Sequence, residues 1–370
     1  MMSSNAIKRI AFRVDASYQI GSGHVMRCLT IADAFKLRKV ECVFICRKHP
    51  GNLINLIQKK GYQVYELSDL TDDLVIEAQQ ANYLRHSAWL GCTWQEDARE
   101  TIEYLFSILP DLLIIDHYAI DEAWEERVNP FCKAIAVIDD LADRRHKCNY
   151  LLDQNYYRDF YTRYNDLVPP HCKLMLGPEF CLLRSEFLEE RAIASKRTGT
   201  LNRALVFFGG MDPTCQTQKV LEAFIVLSIY DVHLDVVIGA GNQNLDELTN
   251  LVKKLPRAKI HHQIDNMAEL INSADIGFGA GGVAMWERCY LGLPTITVTF
   301  AENQVKTTKD VADLGAIWYL GDCRAFTSKD YQTPLSEAVK NPQRLIDVGR
   351  KSSDIVGFGT NKVLNNLLII

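Results

Sequence analysis

The feature that most constrains this chain is a rhythm. Short runs rich in β-branched and other apolar residues recur along it at Ile7–Val14, Glu41–Cys46, Leu112–Ile115, Ala134–Ile138, Arg203–Phe207, Val232–Ile238, Ile260–Gln263, Ile276–Phe278 and Thr295–Val298. Most are continuously apolar rather than alternating, the pattern of parallel strands covered on both faces. Segments of helix length lie between them: His24–Leu37, Trp94–Leu109, Thr214–Ser228, Leu245–Lys254, Val283–Leu291 and Ala301–Asp313. The order is therefore β-α-β, repeated, and it predicts a doubly wound α/β architecture.

At 370 residues the chain is longer than the roughly 100–200 residues of one domain. The rhythm breaks in Gln154–Thr200, where aromatic and charged residues, the Val168-Pro169-Pro170 turn and the polar Lys196–Thr200 stretch intervene. A boundary near 195–201 gives two Rossmann-like domains, 1–198 and 199–370, expected to face each other across a cleft with their strand C-terminal ends pointing into it. The stretch 68–92 is poorly periodic and reads only as helix and loop.

Composition narrows the function. Hydrophobic residues at 48% and charged residues at 24% are ordinary globular values. A net charge of -5 lacks the basic excess of a nucleic-acid binder, so no nucleic-acid partner is expected. The eleven cysteines are scattered singly, without C-x-x-C pairs or zinc spacing, and read as small core residues in a reducing compartment. No metal or cofactor is expected. No apolar run approaches the roughly 20 residues of a membrane span, and the start of the chain lacks a signal-peptide run. A cytoplasmic protein without stable membrane insertion is the expectation, its oligomeric state unreadable. The closing Val363–Ile370 fits a packed terminal helix better than a membrane contact.

Chemistry concentrates in turns that follow strands. After the first strand, which ends at Asp15, Gly21-Ser22-Gly23-His24-Val25-Met26-Arg27 forms a glycine turn opening a helix, whose free N–H groups attract anionic oxygen. Met26 stands where a dinucleotide fingerprint needs its third glycine, and Cys46-Arg47 where it needs an acid, so a nicotinamide enzyme is disfavoured; nor is there a P-loop. His24 lies at the positive end of the helix dipole, which favours a neutral, basic imidazole. It is the candidate general base; the alternative is a histidine that caps or packs. In the second half, Phe207-Phe208-Gly209-Gly210-Met211-Asp212-Pro213 and Gly279-Ala280-Gly281-Gly282-Val283 each follow a strand. They suggest a diphosphate cradle, or else two tight turns with no ligand. Glu287 lies one turn into the helix after Val283, where it can take both ribose hydroxyls or stay solvated beside Arg288. Asn303 and Gln304, in Ala301-Glu302-Asn303-Gln304, offer amide donors or helix caps. Asp116-His117-Tyr118, Asp121 and Asp139-Asp140 remain. Such carboxylates can orient a histidine, fix a sugar hydroxyl, bind a metal or cap helices; Asp121 and Asp139 are expected as caps, Asp116 and Tyr118 as sugar contacts.

These blocks, together with Cys28-Leu29, Ile138–Arg144, Leu151–Asn155, Leu176-Gly177-Pro178 and Trp286-Glu287-Arg288-Cys289, resemble the UDP-2,4-diacetamido-2,4,6-trideoxy-β-L-altropyranose hydrolases of pseudaminic acid biosynthesis. The likeness runs from about residue 7 to about residue 350. It implies a GT-B-like fold, related to two-domain nucleotide-sugar glycosyltransferases that hold uridine diphosphate mainly on the C-terminal domain. It also implies His24 as catalytic base, Glu287 at the ribose and Asn303 at the ligand. The implied reaction is inverting hydrolysis of the UDP-sugar at its anomeric carbon, with Gly21, Ser22, Gly23, Arg27, Asp116, Tyr118, Gly209, Gly210, Asp212, Gly281, Gly282, Val283, Glu287, Asn303 and Gln304 as substrate-binding candidates and no metal. A UDP-sugar-dependent glycosyltransferase and a non-catalytic nucleotide-sugar sensor are the rival expectations.

Overall fold

A computed structural model describes residues 7–68, 84–239, 241–262 and 264–368. The chain divides into two compact units. One comprises Met1–Asn155, Asp159–Leu182 and Gly359–Ile370, the other Tyr156–Arg158 and Leu183–Phe358.

The first unit is built on a parallel seven-stranded sheet: β1 (Arg9–Val14), β2 (Glu41–Arg47), β3 (Gln63–Leu67), β4 (Leu112–Asp116), β5 (Ala134–Ile138), β6 (Tyr150–Asp153) and β7 (Lys173–Leu176), in the order β3-β2-β1-β4-β5-β6-β7. β4 and β5 are buried along their whole length, as their unbroken apolar sequences require. The chain runs outward from β1 through β2 to β3, then returns to place β4 on the other side of β1, in register from Ile10↔Leu112 to Val14↔Asp116. This reversal opens a crevice beyond the C-terminal ends of β1 and β4, the place where ligands bind in open α/β sheets.

The second unit repeats the plan with six parallel strands: β8 (Arg203–Phe207), β9 (His233–Ile238), β10 (Ala258–His262), β11 (Ile276–Ala280), β12 (Thr295–Thr299) and β13 (Trp318–Asp322), ordered β10-β9-β8-β11-β12-β13. Its switch point lies between β8 and β11, paired from Ile276↔Ala204 to Gly279↔Phe207. The doubly wound expectation therefore holds in both units, and the glycine turns singled out in the sequence follow the very strands that flank each switch point.

Two expectations need correction. The first sheet does not stop where the rhythm breaks: β6 ends just before the break and β7 lies inside it, both of four residues and too short to stand out among charged neighbours. The division of units falls between Leu182 and Leu183, not near 195–201, and the end of the chain rejoins the first unit. The Thr360–Leu367 helix packs Val363, Leu364 and Leu367 into the core that also buries the Gly23–Leu37 helix. At about 1.5–3 kcal/mol per buried aliphatic side chain, these three residues are the main apolar contribution to its docking. Residues 69–83, Gln263, Ile369 and Ile370, which fall within expectations made from the sequence, lie outside the described residues. Among the described residues no helix is long and apolar enough to cross a membrane.

Candidate functional site

In the first unit, the turn after β1 and the end of β4 meet at the switch point. Gly21 adopts φ +83°, and its N–H donates to Ser17 O at 2.8 Å, which closes the turn. Ser22 then caps the Gly23–Leu37 helix without a side-chain hydrogen bond, and no acidic residue occupies the first turn. His24, on that first turn, is buried with its side chain 9% exposed, and its Nδ1 lies 2.6 Å from Asp116 Oδ1. One turn later on the same face, Arg27 donates from Nε at 2.5 Å and Nη2 at 2.7 Å to the two oxygens of Asp116, and from Nη1 at 2.7 Å to Asp140.

The electrostatics of this cluster set the state of the imidazole. Burial by itself would push the Asp116 carboxyl up, but Arg27 and His24 outweigh it and hold the group well below the usual carboxylate range. A carboxylate facing Nδ1 makes Nδ1–H the donor, so that in the neutral ring the lone pair lies on Nε2. Tyr118 fixes the ring from the side. Its ring meets that of His24 edge-on at 4.6 Å and 82°, while its hydroxyl donates to Asp140 Oδ2 at 2.6 Å. Burial and Asp140 push the phenol well above its usual range, so it stays a donor. Asn155 Nδ2 donates to the other Asp140 oxygen at 2.8 Å.

Three residues expected at the substrate are thus turned inward. Arg27, Asp116 and Tyr118 are all buried, and their polar groups meet one another, His24 and Asp140. They surround the imidazole. Asp121 accepts the N–H groups of Ala123 and Trp124, a helix cap as expected. Asp139 is instead a buried partner of Arg144 at 2.9 Å, with Tyr164 donating to it at 3.0 Å. Beneath the site, Arg13 lies 2.8 Å from Asp15 and 2.6 Å from Asp97, while Arg47 meets Asp97 and Glu100 at 3.0 and 2.7 Å, all buried.

In the second unit the two glycine turns are not equivalent. Asp212 is buried at φ +44°, and its oxygens accept the N–H groups of Gln216 at 2.8 Å and Thr217 at 2.9 Å. Its carboxylate therefore occupies the start of the Gln216–Val226 helix, against the expectation that Asp212 meets the ligand. Gly210 O accepts Gly241 N–H at 3.2 Å, while Gly209 sits at φ +91° with open space where a Cβ would stand. At the end of β11, by contrast, Gly282 takes φ +94° and ψ -158°, and the Val283–Tyr290 helix begins with no side-chain cap and no acidic residue in its first turn. Gly281 lies against Thr308, whose Oγ1 would stand 2.5 Å from a Cβ there and which has no hydrogen-bond partner. Gln304 Nε2 flanks Gly282. Arg288 is buried behind the turn, its Nη2 donating to Ala280 O at 2.6 Å and its Nε unpaired. Burial draws its pKa down to about 10, so it remains a cation and adds positive potential to the free helix start.

Glu287 lies four residues after Val283, and its Oε1 accepts from Arg184 at 3.2 Å. Asn303 is exposed on the first turn of the Glu302–Asp313 helix. The β11 turn thus gathers Gly281, Gly282, Val283 and Gln304. A cavity of about 630 Å³ in the same unit, lined by Trp318, Tyr319, Arg344, Asp347 and Lys351, borders none of them.

Several participants escaped the sequence reading. Asp140, noted only as half of an acidic pair, holds both Arg27 and Tyr118. His86 and Trp89 come from the unassigned stretch and lie within ring-contact distance of Tyr118. Trp89 lies on a short 3-10 turn, Ser87–Leu90, with His86 just before it, and so brief an element leaves no periodic signal.

Fold and site together define the class: the chain has the GT-B fold of two Rossmann-like domains. MurG of Acinetobacter baumannii superposes with a TM-score of 0.65 at 13% identity, covering 98% of this chain and 99% of that one. Residues 205–357 match the Glycosyltransferase family 28 C-terminal domain. More particularly, the chain is related to the UDP-2,4-diacetamido-2,4,6-trideoxy-β-L-altropyranose hydrolase family. It is 25% identical over 309 residues to that hydrolase from Campylobacter jejuni, covering 83% of this chain and 97% of the relative. It is also 28% identical over 308 residues to an uncharacterized protein of Methanocaldococcus jannaschii, covering 80% of this chain but only 56% of that longer relative.

Proposed function

We propose that this protein hydrolyses UDP-2,4-diacetamido-2,4,6-trideoxy-β-L-altropyranose to UDP and 2,4-diacetamido-2,4,6-trideoxy-L-altrose, a step of pseudaminic acid biosynthesis carried out in the cytoplasm without a metal. The observation that carries the reading is the 2.6 Å contact between His24 Nδ1 and Asp116, which leaves Nε2 as the base. Nε2 takes a proton from water as the water oxygen bonds to the anomeric carbon. The bond from that carbon to the β-phosphate oxygen breaks, its electron pair leaves with UDP, and the configuration inverts. Asp116 stabilises the imidazolium that forms, as a buried carboxylate does in other histidine-base systems. UDP leaves as an anion and needs no proton. The uncapped Val283–Tyr290 helix start, with Gln304 and the buried Arg288 cation, suits its developing charge. Glu287 is assigned to the ribose hydroxyls and Asn303 to the ligand, with Gly21, Ser22, Gly23 and Gly209 as backbone contacts. The cysteines form no disulfide and are mostly buried, which fits a reducing compartment.

A second reading, a UDP-sugar-dependent glycosyltransferase, is favoured by the match of residues 205–357 to a glycosyltransferase domain. Phosphorus and proton NMR of the protein with this UDP-sugar, with EDTA and without acceptor, separates the two. Rapid release of UDP and free sugar, lost in His24→Ala, is the expected outcome. Tight binding without turnover would sink the hydrolase and leave the transferase.

A further inference from the structure

His24 is bordered by more than its polar partners. The Ser87–Leu90 turn is anchored by the buried Ser87 and Leu90 and stopped by Gly91 at φ +71°. Leu90 is buried in the core of the first unit, and Trp89, half-buried, packs against the edge of that core. The Trp89 ring stacks beside Tyr118 at 5.5 Å with 25° between the planes, and stands edge-on to the His24 ring at 6.1 Å and 81°. His86 completes the set, 4.6 Å from Trp89 and 5.5 Å from Tyr118. Tyr118 is buried beneath, whereas Trp89 and His86 are only half-buried. Burial and the nearby Arg85 and Arg144 lower the His86 pKa against the pull of Asp143, so that ring stays neutral near pH 7. Trp89 therefore borders the base with part of its ring exposed, and the neutral His86 lies behind it against Trp89 and Tyr118.

We propose that Trp89, backed by His86, is a specificity wall for the sugar at His24: its ring takes the apolar C–H and methyl face of a deoxy, N-acetylated pyranose. This rests on the reading of the site as a nucleotide-sugar site. The chemistry fits the ligand class, because a 6-deoxy sugar presents a methyl group where an ordinary hexose presents a hydroxyl. A π face gains from the first and strips water from the second without offering a hydrogen bond. Trp89 touches no reacting atom in this scheme, so it governs binding and not the chemical step.

Calorimetric titration of UDP, UDP-N-acetylglucosamine and the UDP-diacetamido-trideoxy sugar into wild type, Trp89→Phe, Trp89→Leu and Trp89→Ala tests this, with steady-state hydrolysis alongside. Trp89→Ala and Trp89→Leu are expected to weaken the deoxy-sugar nucleotide about tenfold, leave UDP within about twofold, and narrow the preference over UDP-N-acetylglucosamine. Trp89→Phe keeps a π face and is expected to lose no more than about threefold, with KM rising and kcat retained. Trp89→Leu preserves apolar bulk, so it remains informative if Trp89→Ala does not fold. Equal affinity of wild type and Trp89→Leu for the deoxy sugar, or an equal loss for UDP alone, would overturn the wall. Tight, Trp89-dependent binding with no hydrolysis would leave the wall standing and remove the hydrolase reading instead. Failure of wild type to bind any nucleotide sugar would overturn both.

Discussion

Replacing Asp116 by Asn is the sharpest test of how the base is made. The carboxylate faces His24 Nδ1 at 2.6 Å, and Arg27 holds both its oxygens. Asparagine removes the charge that holds the imidazolium. Because Arg27 donates at both oxygen positions, the asparagine amide nitrogen faces an Arg27 N–H either way; the orientation tested is the one with an N–H toward Nδ1. The imidazole then accepts at Nδ1 and carries its proton on Nε2, which aims a hydrogen at the water it should deprotonate. The loss is that of general-base catalysis, about 10²- to 10⁴-fold in kcat. Removing one member of a buried ion pair costs about 3–5 kcal/mol of stability, and the low end is expected because Arg27 retains Asp140 at 2.7 Å. The assay is UDP release at saturating nucleotide sugar, below the unfolding midpoint of the variant, with UDP affinity as the folding control. Asp116→Asn should fall nearly as far as His24→Ala, and the double variant no further, since the two residues act as one unit. A kcat within about fivefold of wild type, with His24→Ala inactive, would refute the tautomer reasoning.

Other outcomes follow from the same geometry. Gly282→Ala places a side chain at φ +94°, a strain of about 1–3 kcal/mol, and should lower both the urea midpoint and UDP affinity. Asp212→Ala should cost about 0.5–2 kcal/mol through the lost cap while leaving UDP affinity unchanged, because that carboxylate and not a ligand occupies the helix start; weaker UDP binding would return Asp212 to the ligand. Asp15, Asp116 and Asp139 are each buried, yet held below the usual carboxylate range by Arg13, Arg27 and Arg144 respectively. Their stabilisation is present above the unfolded value near about 4 and is lost as pH falls through the lower folded values. Urea midpoints should therefore drop steeply between about pH 5 and pH 3, and less steeply in Asp116→Asn; a flat profile would contradict the pairing.

How much of this was legible depended on what each residue had to do. β1, β4, β8 and β11 are mostly apolar runs of five or six residues, largely buried, so they and the turns after them could be read directly from sequence. β6 and β7 could not, because four residues beside charged neighbours carry no usable periodicity. His24 was legible from its place in a glycine turn. That Arg27, Asp116 and Tyr118 serve His24 was not, since an aspartate after a strand looks the same whether it meets a sugar or an imidazole; only the β1–β4 register decides. Asp212 and Gly282 illustrate the same limit. Both belong to glycine turns after strands, and the difference lies in whether a side chain folds back onto the helix start. Trp89 was hidden because one short turn carries it.

The central claim is that His24 directs water to the anomeric carbon, and isotopically labelled water tests it most directly. Hydrolysis in H₂¹⁸O is predicted to place the label on the anomeric oxygen of the free sugar and none on UDP, with the reaction lost in His24→Ala. Label in the β-phosphate of UDP, or labelled sugar formed as fast by His24→Ala as by wild type, would contradict it.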